Sequence, residues 1–443
     1  MKRLVVTAAV ALTAAAGCVP TLPHDPTPEA MEFDPESFPP RVPQPTSLIV
    51  NPTTKKIDFS LAGLTIPSDC SKAAIISQAE CEFDQYLQTL DGFPTVTPAQ
   101  TPATADLDPA TLTPQNVVVF AARAGKPVAD LQIGFQTVGR YLTLRPKHWD
   151  VGEFYWAAVR GYTNGVRAAS GAEVVGVPTQ FLLKQETPLT CGATSADELD
   201  PKCPAYALLL QKKPPDQAAA SLFQLEQIRF DLQRLHAWEA IQAAGIEKEE
   251  VAVIWGFPTH STSVAEVDPS PAAMIVPQIT APNQIKIAVQ GPVDPTTVRS
   301  FVRQDHFGGV ILIDLTAIAT MDLVNGLPRV DAVYTDGNIV ITAAAPLPVG
   351  HQVGVFLTTD IHDPTGRALS PSPVSKLLTL PAPLLTSAGK SALSSVSDAD
   401  ATMLESGRSQ LKALLDDPTL GQITGLMRDA LVYCFAFPVV AQP

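Results

Sequence analysis

Pro215-Asp-Gln-Ala-Ala-Ala-Ser-Leu-Phe-Gln-Leu-Glu-Gln-Ile-Arg-Phe-Asp-Leu-Gln-Arg-Leu-His-Ala-Trp-Glu-Ala-Ile-Gln-Ala-Ala-Gly245 is followed closely by Val251-Ala-Val-Ile-Trp-Gly-Phe-Pro258. In the first segment Leu222, Leu225, Ile228, Leu232, Leu235, Trp238 and Ile241 recur every third or fourth residue. That spacing lines one face of a helix and predicts a single helix over 216–244, capped by Asp216 and closed by Gly245. Glu226, Arg229, Arg234 and Glu239 fall off the stripe, where water can solvate them. Leu232 and Leu235 are expected in the core. The second segment is a short apolar run of strand type, stopped by proline.

The unit recurs. Asp398 can cap a second helix, over 398–416, carrying Met403, Leu404, Leu411, Leu414 and Leu415. Leu431–Pro438 is then a second apolar run ending Phe-Pro, and the interval Gly425 to Pro438 equals that from Gly245 to Pro258. Upstream landmarks repeat in the same order. Asp108-Pro-Ala-Thr-Leu112 matches Asp294-Pro-Thr-Thr-Val298, Gly139 matches Gly337, and Val151-Gly152 matches Val349-Gly350. A turn at 163–167 is paired with one at 364–367, and Ala-x-Ser at 168–170 with 368–370. These landmarks predict two homologous modules, with boundaries at 46–265 and 266–443.

Strand-type runs fill the rest of each module. In the first they are 116–120, 131–135, 140–144 and 154–159. In the second they are 284–289, 309–313, 332–334, 338–342 and 352–357. Short strands between turn signals, in a chain with 42 prolines, indicate a mainly β protein of two tandem β-sandwich modules. Each is expected to carry an added amphipathic helix followed by a closing strand.

The N-terminus reads as an export signal. Lys2 and Arg3 precede an apolar stretch, Leu4 to Gly17, too short for a comfortable membrane span. Ala15-Ala-Gly-Cys18 resembles the lipobox of bacterial lipoproteins, which implies cleavage after residue 17 and a lipid on Cys18. Val19 after that cysteine favours retention at the outer membrane, facing periplasm or cell surface. Residues 18–45, rich in Pro, Thr and Glu, are expected to be an extended tether. The formal charge of −14 becomes more negative once Lys2 and Arg3 are removed. A field of that sign argues against nucleic-acid partners.

Cys70 with Cys81, and Cys191 with Cys203, close short loops, and in an oxidising compartment both pairs are expected to be disulfides. Zinc would call for closer Cys-x-x-Cys spacing and further ligands. Cys434 aligns with Ile254 in the repeated strand, so a buried free thiol is expected there.

The Asp-Pro-x-Thr opening, the Leu-Thr-Leu-Arg-Pro strand end (142–146) and the Val-Gly pairs before apolar strands resemble bacterial Ig-like domains of the surface-layer type. Leu87-Gln-Thr-Leu-Asp-Gly-Phe93, Ala243-Ala-Gly-Ile246 and Val253-Ile-Trp-Gly-Phe-Pro-Thr259 are similar to the N-terminal half of Gram-negative extracellular virulence-factor lipases. In that family an α/β-hydrolase domain follows, while this chain ends at Pro443. The resemblance therefore implies an Ig-like, non-catalytic part.

The motif content points the same way. A lipase needs Gly-x-Ser-x-Gly at its nucleophile elbow, and the nearest string, Gly161-Tyr-Thr-Asn-Gly165, carries Thr and reads as a hairpin turn. His236, beside Leu235, reads as a partly buried packing residue. His260 and Ser261 would need an acid brought in from elsewhere to form a triad. No cofactor is expected. Weak calcium candidates are Asp336, Asp360 and Asp363 at strand ends, with a second acidic cluster at Asp197, Glu198 and Asp200; such turns more often face solvent. The expectation is a non-catalytic, membrane-anchored lipoprotein with a binding or structural role at the envelope. The alternative is a lipase- or esterase-related protein, or an accessory subunit of a separate hydrolase.

Overall fold

The computed structural model describes residues 27–33, 41–211, 213–265, 278–281, 283–301, 308–320, 322–417 and 426–439. The chain begins with β1 (Glu29–Met31), α1 (Gln78–Leu87), β2 (Ala99–Pro102), β3 (Val117–Ala121), β4 (Gln132–Gln136), β5 (Tyr141–Arg145), β6 (Phe154–Arg160) and β7 (Val174–Gly176). Four helices follow: α2 (Pro178–Leu183), α3 (Pro204–Leu210), α4 (Pro215–Arg234) and α5 (Ala237–Ala243). Then come β8 (Val251–Pro258), β9 (Val264–Ala265), β10 (Gln278–Ala281), β11 (Gln284–Gln290) and β12 (Val310–Asp314). The remainder is α6 (Leu315–Ala319), α7 (Leu323–Gly326), β13 (Val330–Thr335), β14 (Asn338–Ala343), β15 (Gln352–Thr358), α8 (Pro373–Thr379), α9 (Asp398–Leu415) and β16 (Leu431–Pro438). Helices occupy about as much of the chain as strands, so mainly β is too strong a description.

The sheets repeat. In the first half one sheet runs β2-β5-β4 and another β3-β6-β8; in the second half they run β11-β14-β13 and β12-β15-β16. All these ladders are antiparallel. The register repeats as well, since Phe154 faces Pro258 and Gln352 faces Pro438. β10 extends the second half's outer sheet through β11, and β9 also pairs with β11.

Why β3, β6 and β8 are apolar throughout follows from the layers. Val117, Val119, Tyr155, Ala157, Val253, Trp255 and Phe257 pack toward Leu142 and Leu144 of the other sheet. Val118, Phe120, Trp156, Ala158 and Ile254 pack the opposite way, on the helices. A sheet covered on both faces loses the polar alternation of a half-solvated strand. Each half is thus three layers deep, with an outer sheet, a central sheet and helices. Leu222, Leu225, Ile228 and Leu232 of α4 are buried on that central sheet.

Several expectations need correction. The helix expected over 216–244 is two helices, because α4 ends at Arg234 and His236, at φ 53°, restarts the chain as α5. Leu235 and Trp238, placed around this break, are only half-buried, and His236 is exposed rather than packed. Lys248 instead lies over the Trp238 ring. Asp216 sits in the first turn behind an uncapped Pro214, while Gly245, at φ 83°, does close α5. Ser397 rather than Asp398 caps α9, its side chain accepting from the Asp400 amide.

The expected tether over 18–45 is partly folded. β1 pairs in parallel with β7, and Met31, Phe33 and Val42 are buried. The boundary at 265/266 is crossed as well. α1 precedes the first half in sequence, yet Ala79, Phe83 and Tyr86 belong to the core of the second half. It is fixed there by hydrogen bonds at its N-terminus and along its length: Ser77 Oγ to the Ala392 carbonyl, and the Ala382 amide to Glu82. The Ser394 amide and hydroxyl donate to Glu80.

Candidate functional site

The connection leaving β8 carries the polar residues that join the halves. The Gly92 backbone lies so close to Thr259 that an added Cβ would stand 2.4 Å from its carbonyl carbon, and this packing brings Asp91 against Ser261. Asp91 accepts from the Ser261 amide at 2.8 Å and, through its other oxygen, from the Ser261 hydroxyl. From the second half, Arg367 donates to Ser261 Oγ at 2.6 Å and to the Ser261 carbonyl at 2.9 Å. Asp363, 3% exposed, orients the guanidinium through Nε at 3.0 Å. Thr262 and Ser370 share a further hydroxyl contact.

Charge in this cluster is settled locally. Burial alone would raise the Asp363 pKa. Donors from the Thr365 hydroxyl, the Arg367 and Thr365 amides and the Arg367 side chain outweigh it and bring the carboxyl to about 2. His260, 2% exposed, is pushed down to about 4 by burial, so it is neutral at pH 7. Its Nδ1 faces Thr262 Oγ1 at 3.1 Å, not Ser261.

The acid that the His260–Ser261 pair lacked in sequence is therefore Asp91, but it binds the serine directly. A base that must take a proton from Ser261 would stand between the two, and among the described residues no histidine does. Beside Ser261 opens a shallow cleft of about 350 Å³, lined by Asp91, Arg123, Glu153, Phe154, Leu235 and Thr259 among others. Gly161–Gly165 is not a hairpin turn but a single helical turn after β6. Its glycines serve close packing: a Cβ on Gly161 would stand 2.2 Å from the Val174 carbonyl oxygen, and one on Gly165 2.3 Å from that of Arg160. Thr163 hydrogen-bonds Glu173 at the surface.

The acidic calcium candidates are dispersed among local roles. Asp336, at φ 50°, and Gly337 form the two-residue turn between β13 and β14. Asp360 meets Thr358 Oγ1, and Asp363 is engaged by Arg367. In the other cluster Glu198 accepts from the Thr194 amide and hydroxyl and Asp200 from the Lys202 amide; Asp197 is exposed. Among the described residues no three His, Cys, Asp or Glu side chains gather where they could hold a metal ion. Cys70–Cys81 and Cys191–Cys203 are bonded, and the buried Cys434 thiol is pushed up to about 12 by burial. Cys18 lies outside the described residues, as does the signal over 1–17. No described helix is long and apolar enough to cross a membrane.

Periodicity missed one repeated pair. Arg229, placed in water by the helical stripe, is 3% exposed. It binds Glu226 through Nε and Nη2, at 2.8 and 2.6 Å, and the Glu186 carbonyl at 3.1 Å beyond the end of α2. Glu226 also accepts from the Leu189 amide. Arg408 repeats this with Glu405, the Leu380 carbonyl beyond α8, and the Leu384 amide. The signal was present as Leu225-Glu-x-x-Arg229 and Leu404-Glu-x-x-Arg408.

No protein-family model and no curated protein matches the chain. Among solved structures, the N-terminal part of the bacterial S-layer protein SbsC is similar at 17% identity, covering 18% of this chain and 19% of that one, with a TM-score of 0.15. The S-layer protein rSbsC(31-844) and SbsC domains 1-6 match at the same identity and TM-score, over 19% of this chain and 11% of each of theirs. This chain thus spans about a fifth of those chains or less, and a likeness of that size carries no argument about fold or role.

Proposed function

We propose that the chain is a non-catalytic lipoprotein of the cell envelope, anchored through a lipid on Cys18, whose two Ig-like units serve a binding or structural role. One observation carries the non-catalytic reading. Ser261 Oγ donates to Asp91 and accepts from Arg367 while the neutral His260 faces Thr262, so among the described residues no histidine is placed to activate the hydroxyl. The Ig-like reading draws on two antiparallel sheets facing each other in each half. The anchor draws on the lipobox-like Ala15–Cys18.

Two assays test this. The purified chain is screened against short- and long-chain esters; turnover abolished by a serine-directed inhibitor would overturn the non-catalytic reading. Cys18→Ser is expected to move the protein from the membrane pellet to the soluble fraction. A variant that stays in the pellet contradicts the anchor.

A further inference from the structure

Asp84 lies on α1 with 6% of its surface exposed. No hydrogen bond from the described residues reaches its carboxylate, and its pKa is raised to about 7, first by burial and then by the charge of Glu80 one turn earlier. Shutting an ionised carboxylate away from water without a partner is costly. The charged groups around α1 are already committed. On the turn Cys70–Lys72, Lys72 pairs with Asp69. On α8, Lys376 is attracted by Asp429 and Glu82 and repelled by Arg428. In the segment docked on α1, Lys390 pairs with Asp398. None supplies Asp84 with a counter-charge.

The place of α1 gives this consequence. The helix comes before the first half in sequence and docks on the second, by its apolar face and by the bonds of Ser77, Glu80, Glu82 and Tyr86. We propose that α1 is a pH-sensitive clasp: ionisation of the buried Asp84 carboxyl loosens its docking on the second half and so the connection between the halves. The sign is fixed by linkage. A carboxyl whose folded pKa lies above its unfolded value, 3.8, gives stability that is complete below 3.8 and is lost as pH rises through about 7. The clasp is therefore tight in mild acid and loose above neutrality.

The test is hydrogen exchange of the full chain between pH 5 and 8.5, with protection of 78–87 and 382–394 corrected for the intrinsic rate. In the unsubstituted protein, protection of both segments should fall about tenfold or more over that range. In Asp84→Asn it should stay constant. Glu80→Gln, which removes the repelling charge, should shrink the loss and end it at lower pH, giving a second readout if Asp84→Asn folds poorly. Constant protection in the unsubstituted protein, or a parallel fall in it and Asp84→Asn, would overturn the proposal.

Discussion

The Tyr86 hydroxyl donates to the Pro371 carbonyl at 2.7 Å, across 285 residues of sequence. It ties a helix that precedes the first half to the segment entering α8 in the second. Cys81, on the same helix, is bonded to Cys70 in the turn beneath it. The disulfide therefore stiffens the clasp rather than an isolated surface loop. Replacing both cysteines with serine should cost about 2–3 kcal/mol by loop-closure entropy. Urea unfolding followed by limited proteolysis should place the loss in the second half; a loss confined to the first half would contradict the docking of α1.

The buried Arg229 and the exposed Arg234, on one helix, predict an asymmetry. Arg229→Met strands Glu226 and leaves the carbonyls beyond α2 unpaired, and should cost about 3–5 kcal/mol. Replacing Glu226 by Gln in the same chain should recover part of it. Arg234→Ala removes only an exposed pair with Asp231 and should cost less than about 1 kcal/mol. Chemical denaturation of the three variants checks the order.

His260 predicts the acid limb of the stability curve. Its folded pKa of about 4 lies below the unfolded 6.5, so the neutral ring's contribution is present above 6.5 and lost as pH falls toward 4. The gap corresponds to about 3 kcal/mol. His260→Gln should flatten the melting temperature against pH between those limits, while an unchanged slope would show that His260 is not the group titrating.

Two leucines that look alike in sequence differ because one, Leu235, stands where α4 ends before the break at His236. Leu222 is fully buried on the central sheet, and Leu222→Ala should cost about 2–5 kcal/mol. Leu235, half-buried beside the cleft, should cost less than about 2 kcal/mol when replaced by Ala. Equal costs would mean that the stripe continues through the break.

What the sequence made legible was local and repeated. Asp108 and Asp294 each accept the amide two residues on, and the two Phe-Pro runs take the same place at the edge of their central sheets. The Ala-x-Ser triplets at 168–170 and 368–370 do not occupy equivalent places. Thr111 and Thr297 accept the amides of Arg167 and His362, and the bridges Arg167 to Glu173 and His362 to Ala368 show that 173, not 168, corresponds to 368. A shorter connection after β15 shifts the frame, and a three-residue motif cannot reveal a gap. A hydrophobic stripe counts charges as solvent-facing and so places Glu226 and Arg229 in water. A pair that satisfies its own charge and the carbonyls of a neighbouring helix escapes that count. The docking of α1, and with it the partner of Ser261, depends on contacts far apart in sequence that no period encodes.

The most direct test of the whole arrangement is hydrogen exchange in Phe83→Ala, a substitution in α1. Phe83 belongs to the core of the second half. The substitution should therefore speed exchange in β15 and β16, at the far end of the chain, by roughly the 3–5 kcal/mol expected of a buried phenylalanine, and leave β3 and β6 nearly unchanged. Faster exchange in β3 and β6 with β15 and β16 unaffected would contradict the account.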